Sequence, residues 1–82
     1  MSYKILPTRQ FEKDFKRLDS SVKKRIIKKI NEVAFDPTRY KHLRNVLNDN
    51  CRVWVDKYRV IFSYDVNKKE LYLEKVVFGH RY

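Results

Sequence analysis

Two arginines placed inside apolar runs are the first residues that could do chemistry. The stretch Cys51 to Asp65 reads C-R-V-W-V-D-K-Y-R-V-I-F-S-Y-D. Arg52 and Arg59 sit among Val53, Val55, Val60, Ile61 and Phe62, which are strong strand formers. A guanidinium in such a run must reach a solvated face or meet something negative. Trp54 and Lys57 lie between the two arginines, and His80, Arg81 and Tyr82 follow the last apolar run. This basic, aromatic set suits phosphate chemistry. Arginine binds phosphate oxygens bidentately and stabilises charge that develops on them. An indole can stack on a nucleobase without reading its sequence, or simply pack. The chain has no glycine-rich phosphate loop, no paired cysteines, no His-x-x-x-His and no Ser/His/Asp pattern. His42 has no second ligand at metal spacing, so neither a metal nor another cofactor is expected. Cys51 stands alone, which fits a reducing cytoplasm and the role of a small strand residue.

Charge supports an anionic partner. Twenty Lys and Arg oppose ten Asp and Glu across 82 residues, a net charge of +10. Nucleic acid, an acidic protein or an anionic membrane surface would each complement it, and a merely solvated surface is the plainer alternative. With 43% apolar residues, one Gly and two Pro, residues 1–82 are expected to form one small domain. A chain of this length buries roughly 60–65% of its unfolded surface. Met1 to Pro7 carries no long apolar run, so no signal peptide and no membrane span are expected.

The elements that must position these side chains follow from periodicity. Tyr3 to Leu6 alternates like a short strand, which Pro7 ends. Thr8 is placed to cap a helix over Arg9 to Leu18, where Phe11, Phe15 and Leu18 share one face. Asp19-Ser20-Ser21 breaks that helix and caps a second, from about Ser21 to Phe35. Its buried stripe is expected to hold Val22, Ile26, Ile27, Ile30, Val33 and Ala34, and Asp36-Pro37 stops it. Lys23, Lys24 and Lys28 on this helix form either a track for phosphates or a solvated face. Cys51 to Asp65 then makes a β-hairpin turning at Asp56-Lys57. Alternation puts Arg52 and Trp54 on the side opposite Val53 and Val55. A last strand, Leu71 to Phe78, places Leu71, Leu73 and Val77 on one side, with Tyr72, Val76 and Phe78 on the other. It reads as a central strand, buried on both sides near its end. The class is α+β: an N-terminal strand, a two-helix hairpin, then a mostly antiparallel sheet of about four strands.

This order of elements resembles the RelE/ParE toxin superfamily over nearly the whole chain, the RelE branch most of all. Tyr58-Arg59-Val60-Ile61-Phe62 is similar to the family's Y-R-hydrophobic-hydrophobic-aromatic strand. Gly79-His80-Arg81 resembles its Gly-basic-Arg near the last strand, and Leu43-Arg44 its Leu-Arg before the hairpin. The resemblance implies a RelE-like, microbial-ribonuclease-like fold and a toxin of a type II toxin–antitoxin system. It implies metal-independent cleavage of messenger RNA on the ribosome in the cytoplasm, with a RelB-like antitoxin as partner. Arg59 then matches the arginine facing the scissile phosphate, Arg81 the C-terminal arginine, and Arg52 the first of two basic residues on the preceding strand. The second basic position holds Trp54, a departure. Tyr82 stands for the family's C-terminal tyrosine. The alternative within the superfamily is a ParE-type toxin that inhibits DNA gyrase by binding, without nuclease activity.

Cleavage would need little beyond these groups, because RNA carries its own nucleophile, the 2′-OH. Arg52, Arg59 and Arg81 suit stabilisation of the phosphorane, but arginine is a poor proton carrier, with a pKa above ~12. The base is left among three residues. Tyr82 starts near ~10 and clustered arginines would lower it; His80 starts near ~6.5; Lys57 serves if it turns inward. An acidic, partly disordered antitoxin is expected to lay a helix or strand over the basic face.

Overall fold

The computed structural model describes residues 2–40 and 51–79. His42, Leu43 and Arg44, and the site candidates His80, Arg81 and Tyr82, lie outside the described residues.

Strand β1, Lys4–Pro7, passes through Thr8 into helix α1, Arg9–Lys16. The Thr8 hydroxyl accepts from the Phe11 backbone N–H at 3.2 Å, forming the expected cap. Asp19 does the same for helix α2, Ser20–Phe35, accepting from the Val22 N–H at 3.0 Å. That bond, with a second from the Ser21 hydroxyl, holds the Asp19 carboxyl below the usual carboxylate range. A short 3-10 turn, Pro37–Arg39, follows α2. Strands β2 (Cys51–Val55), β3 (Tyr58–Asp65) and β4 (Glu70–Phe78) complete the described chain.

The sheet order is β1-β4-β3-β2, with β1 parallel to β4 and the other pairs antiparallel. This is the α+β arrangement read from the sequence. Asp56, in the β2–β3 turn, adopts φ 54°, a left-handed value that Asp tolerates better than most side chains. Arg25 of α2 forms an ion pair with Asp56, linking helix and turn.

Alternation divides the sheet into a covered face and an open one. Phe11, Ile26, Ile30 and Val33 from the helices pack on Cys51, Val55, Val60, Phe62, Leu71 and Leu73. Burying apolar area of this kind stabilises by roughly 25 cal/mol per Å². Cys51 is fully enclosed there, so its thiol is a packing group. Arg52, Trp54, Arg59, Ile61, Ser63 and Tyr72 fall on the helix-free face by the same alternation and pairing.

The far half of β4 differs from simple alternation. Ile61 pairs with Lys75 while Phe62 pairs with Leu73, so Glu74 is the extra residue of a β-bulge. Beyond it the faces exchange. Val76 joins Leu71 and Leu73 against the core, and Val77 pairs with Arg59 on the open face. Helix α1 and its cap satisfy the displaced backbone. Asp14 accepts from the Val76 N–H at 3.0 Å, and the Thr8 hydroxyl lies 2.8 Å from the Leu73 carbonyl and 2.9 Å from that of Glu74. Although β4 is interior to the sheet, its end is not buried on both sides. Phe78 is 54% exposed, its ring edge-on to Tyr58.

Candidate nucleic-acid interface

Cross-strand pairing assembles the site. Trp54 on β2 pairs with Arg59 on β3, which pairs with Val77 on β4. Arg52 shares this face and pairs with Ile61, which pairs in turn with Lys75. Arg52, Trp54, Arg59 and Lys75 thus meet at one end of the open face. Ile61 between them is only 5% exposed, so the cations flank an apolar centre.

The Arg59 guanidinium carbon lies 5.6 Å from the centre of the Trp54 ring. A cation–π contact of this kind is worth ~0.5–1 kcal/mol when exposed and about 2 when desolvated. A cation at position 54 would instead set like charges directly opposite each other, which is destabilising. Gly79 closes a third side. Its N–H donates to the Lys57 carbonyl at 2.9 Å, tying the end of β4 to the hairpin turn. A Cβ on Gly79 would stand 3.1 Å from Trp54 Cη2 and 3.3 Å from Arg59 Nε. The glycine is therefore in close approach to both side chains. Arg59 is half-buried, and its Nε is enclosed without a hydrogen-bond partner among the described residues. Such an orphaned donor costs ~1–3 kcal/mol; packing holds it there against that cost.

Among the described residues the ion pairs are Arg25–Asp56 and Lys29–Glu32. Neither involves Arg52, Arg59 or Lys75. The acids of the open face, Glu74 beside Lys75 and Glu70 at the start of β4, have partners of their own. Ser63 donates to Glu74 at 2.7 Å, and the Tyr72 hydroxyl donates to Glu70 at 2.5 Å. The hydrogen bond to Glu70 is the main reason the Tyr72 phenol is pushed up to about 12; burial and the Glu70 and Asp65 charges add to it.

Sequence-predicted residues divide between the layers. Arg52, Trp54 and Arg59 come together, and Lys57 is exposed at the adjoining turn. Lys23, Lys24 and Lys28 belong to α2, whose packed side covers the other face of the sheet. The Lys23 ammonium stands 5.7 Å from the Phe15 ring centre, and Lys24 and Lys28 are exposed. These lysines do not join the arginine cluster. Lys75 was missed by sequence reasoning because only the bulge turns it to the open face. Its one signal is the charged pair Glu74-Lys75 interrupting an apolar strand.

A concave surface lies on the helical side. It is a groove of 670 Å³ lined by apolar Ile5, Phe11, Phe15 and Ile27, by basic Lys13 and Lys23 and by acidic Glu12. Ile27, expected in the buried stripe of α2, is 49% exposed here, because only the Ile26 and Ile30 side of the helix meets the core. Among the described residues no group of three or more His, Cys, Asp or Glu could hold a metal ion. No described helix is long and apolar enough to cross a membrane.

Residues 5–81 match the family described as the ParE toxin of type II toxin–antitoxin systems, parDE. The chain belongs to the ParE toxin family. This places it in the RelE/ParE superfamily that its motifs implied, and its fold is RelE-like. A curated relative from Methanocaldococcus jannaschii, named "Putative toxin RelE4", is 42% identical over 52 residues. That match covers 62% of this chain and 55% of the relative, so it spans little more than half of that protein. Solved structures share the fold of this ParE-family chain at lower identity. The toxin–antitoxin complex RelBE2 of Mycobacterium tuberculosis aligns with TM-score 0.85 and 19% identity, over 99% of this chain and 93% of the other. Isolated RelE toxin of E. coli gives 0.84 and 21%, over 99% and 88%. The archaeal RelE–RelB complex of Pyrococcus horikoshii gives 0.82 and 20%, each chain covered in full.

Proposed function

We propose that this toxin is a ribosome-dependent messenger-RNA endonuclease acting in the cytoplasm, metal-independent and using the RNA 2′-OH as nucleophile. One observation carries the reading. Arg59, on the open face beside Arg52 and Lys75, has no carboxylate partner within ion-pair distance among the described residues. A fixed guanidinium of this kind supports binding of a phosphate and of the charge that grows on it in the transition state. In the proposed step the 2′-OH loses its proton and attacks the adjacent phosphorus. A 2′,3′-cyclic phosphate forms, and the 5′-oxygen leaves after taking up a proton. Arg52, Arg59 and Arg81 stabilise the phosphorane oxygens. His80, Tyr82 or Lys57 carries the proton. Trp54 and Lys57 border the RNA path; Lys23, Lys24 and Lys28 are proposed for more distant rRNA phosphates on the helical layer.

The partner we propose is an acidic RelB-like antitoxin. The apolar groove with its basic border supports an amphipathic acidic segment lying along α1 and α2. Its binding would neutralise charge and block ribosome entry; a complex that cuts messenger RNA at the full toxin rate would refute this.

A second reading is favoured by the family description itself, which is that of ParE. It is inhibition of DNA gyrase by binding, without nuclease activity. Expression without antitoxin, followed by mapping of messenger-RNA 5′ ends on ribosomes, separates the two. Codon-phased cuts in the parent that disappear in Arg59→Ala and Arg81→Ala support the nuclease. Intact messages together with inhibited supercoiling support gyrase binding.

A further inference from the structure

Trp54 stands where the family resemblance implies a cation, and its surroundings give the exchange a role. Its ring lies beside the Arg59 guanidinium, 5.6 Å from ring centre to guanidinium carbon. Gly79 meets the same two side chains from the β4 side, where a Cβ would fit only if they gave by a few tenths of an ångström. Arg59 Nε is buried between these groups with no hydrogen bond, although the residue as a whole is half-buried. The Gly79 backbone cannot drift away, since its N–H is held by the Lys57 carbonyl at 2.9 Å.

We propose that Trp54 is a positioning residue: with Gly79 it forms a seat that grips Arg59 by its Nε edge and directs the other guanidinium N–H groups toward an RNA phosphate. The seat is a matter of structure; its effect on cleavage rests on the nuclease reading above. A long arginine side chain samples many rotamers, and a charge clamp works best when already in place as charge develops. A flat, neutral indole restricts the guanidinium without competing for the phosphate. A lysine at the same position would bring a second charge but no surface for the guanidinium to lie against. Glycine at position 79 is the complement of the indole, because a side chain there would need the ring or the arginine to give.

Two readouts on the full chain test this. The Arg59 Nε–H signal in NMR reads the seat through the ring current of Trp54. It is expected to be displaced in the parent, to lose that displacement in Trp54→Leu, and to keep part of it in Trp54→Phe. Single-turnover cleavage of messenger RNA on programmed ribosomes reads the role. Trp54→Leu is expected to lower the rate constant about tenfold while the half-saturating ribosome concentration stays put, and Trp54→Phe to recover most of the loss. Gly79→Ala should reproduce the Trp54→Leu defect, with thermal melting confirming that each variant is folded. An Arg59 signal identical in parent and Trp54→Leu would overturn the seat. A Trp54→Leu variant that raises the half-saturating concentration and leaves the rate constant alone would make Trp54 a base-stacking contact, which also overturns the proposal. If the parent itself does not cut, the nuclease reading and the catalytic role of Trp54 fail together, and the NMR signal still decides whether the seat exists.

Discussion

The open face of the sheet has two halves built from the same strands, and they treat charge in opposite ways. In one half Ser63 donates to Glu74 and Tyr72 to Glu70. There the acids face donors on neighbouring strand positions, and the protein satisfies itself. In the other half Arg52, Arg59 and Lys75 surround Ile61 with no carboxylate in ion-pair range among the described residues. Arg59 even keeps a buried N–H without a partner. Exposed Arg52 and Lys75 are solvated, but the enclosed Arg59 Nε is not. This contrast is the basis for proposing that an external anion binds at the basic half.

Substitutions in the two halves should break this contrast if it is wrong. The largest expected effect is Arg59→Ala, with cleavage falling ~10²–10³-fold in a single-turnover assay. Glu74→Gln, in the acidic half of the same face, should leave the rate unchanged. Next come Arg52→Ala and Lys75→Ala. If each removes one phosphate contact, binding to single-stranded RNA should weaken, and the slope of log affinity against log salt should flatten by ~0.7 per contact. A salt titration of the variants checks this, and Glu70→Gln should not flatten the slope.

A smaller effect is expected where α1 holds the β-bulge. Asp14→Ala removes the acceptor of the Val76 N–H and should destabilise by ~1–3 kcal/mol, read as a lowered midpoint in urea unfolding. Asp14→Asn, which keeps an acceptor oxygen, should lose less. The subtlest effect is the titration of Tyr72. With its phenol raised to about 12, the native state holds a proton that the unfolded chain releases near ~10. The stability from this group is complete below pH ~10 and is lost as pH rises toward 12. Ultraviolet titration should show the Tyr72 phenol ionising late, and Glu70→Gln should bring its ionisation to lower pH.

Much of this face was legible in the chain because a hairpin is local. Alternation alone put Arg52 and Trp54 opposite Val53 and Val55, and a short turn put Arg59 beside them. Thr8 and Asp19 announced both helix starts by side-chain chemistry that acts within three residues. The bulge was not legible. Val76 and Val77 are interchangeable by composition, and what decides their faces is Asp14 and Thr8, more than sixty residues away in sequence. Hence Lys75 went unnoticed and the faces of Val76 and Val77 were exchanged. The lysines of α2 were readable as a charged helix side, but which layer they would join depends on how the helix packs on the sheet. The seat around Arg59 likewise needed Gly79 and Trp54 in space, although both stood out as single residues of their kind.

The most direct test of the central claim compares the two halves in one assay. Single-turnover messenger-RNA cleavage on programmed ribosomes would be measured for the parent, Arg59→Ala and Glu74→Gln, each confirmed folded by its melting midpoint. We expect codon-phased cutting by the parent and by Glu74→Gln, and its near-complete loss in Arg59→Ala. Equal cutting by Arg59→Ala and the parent would contradict it.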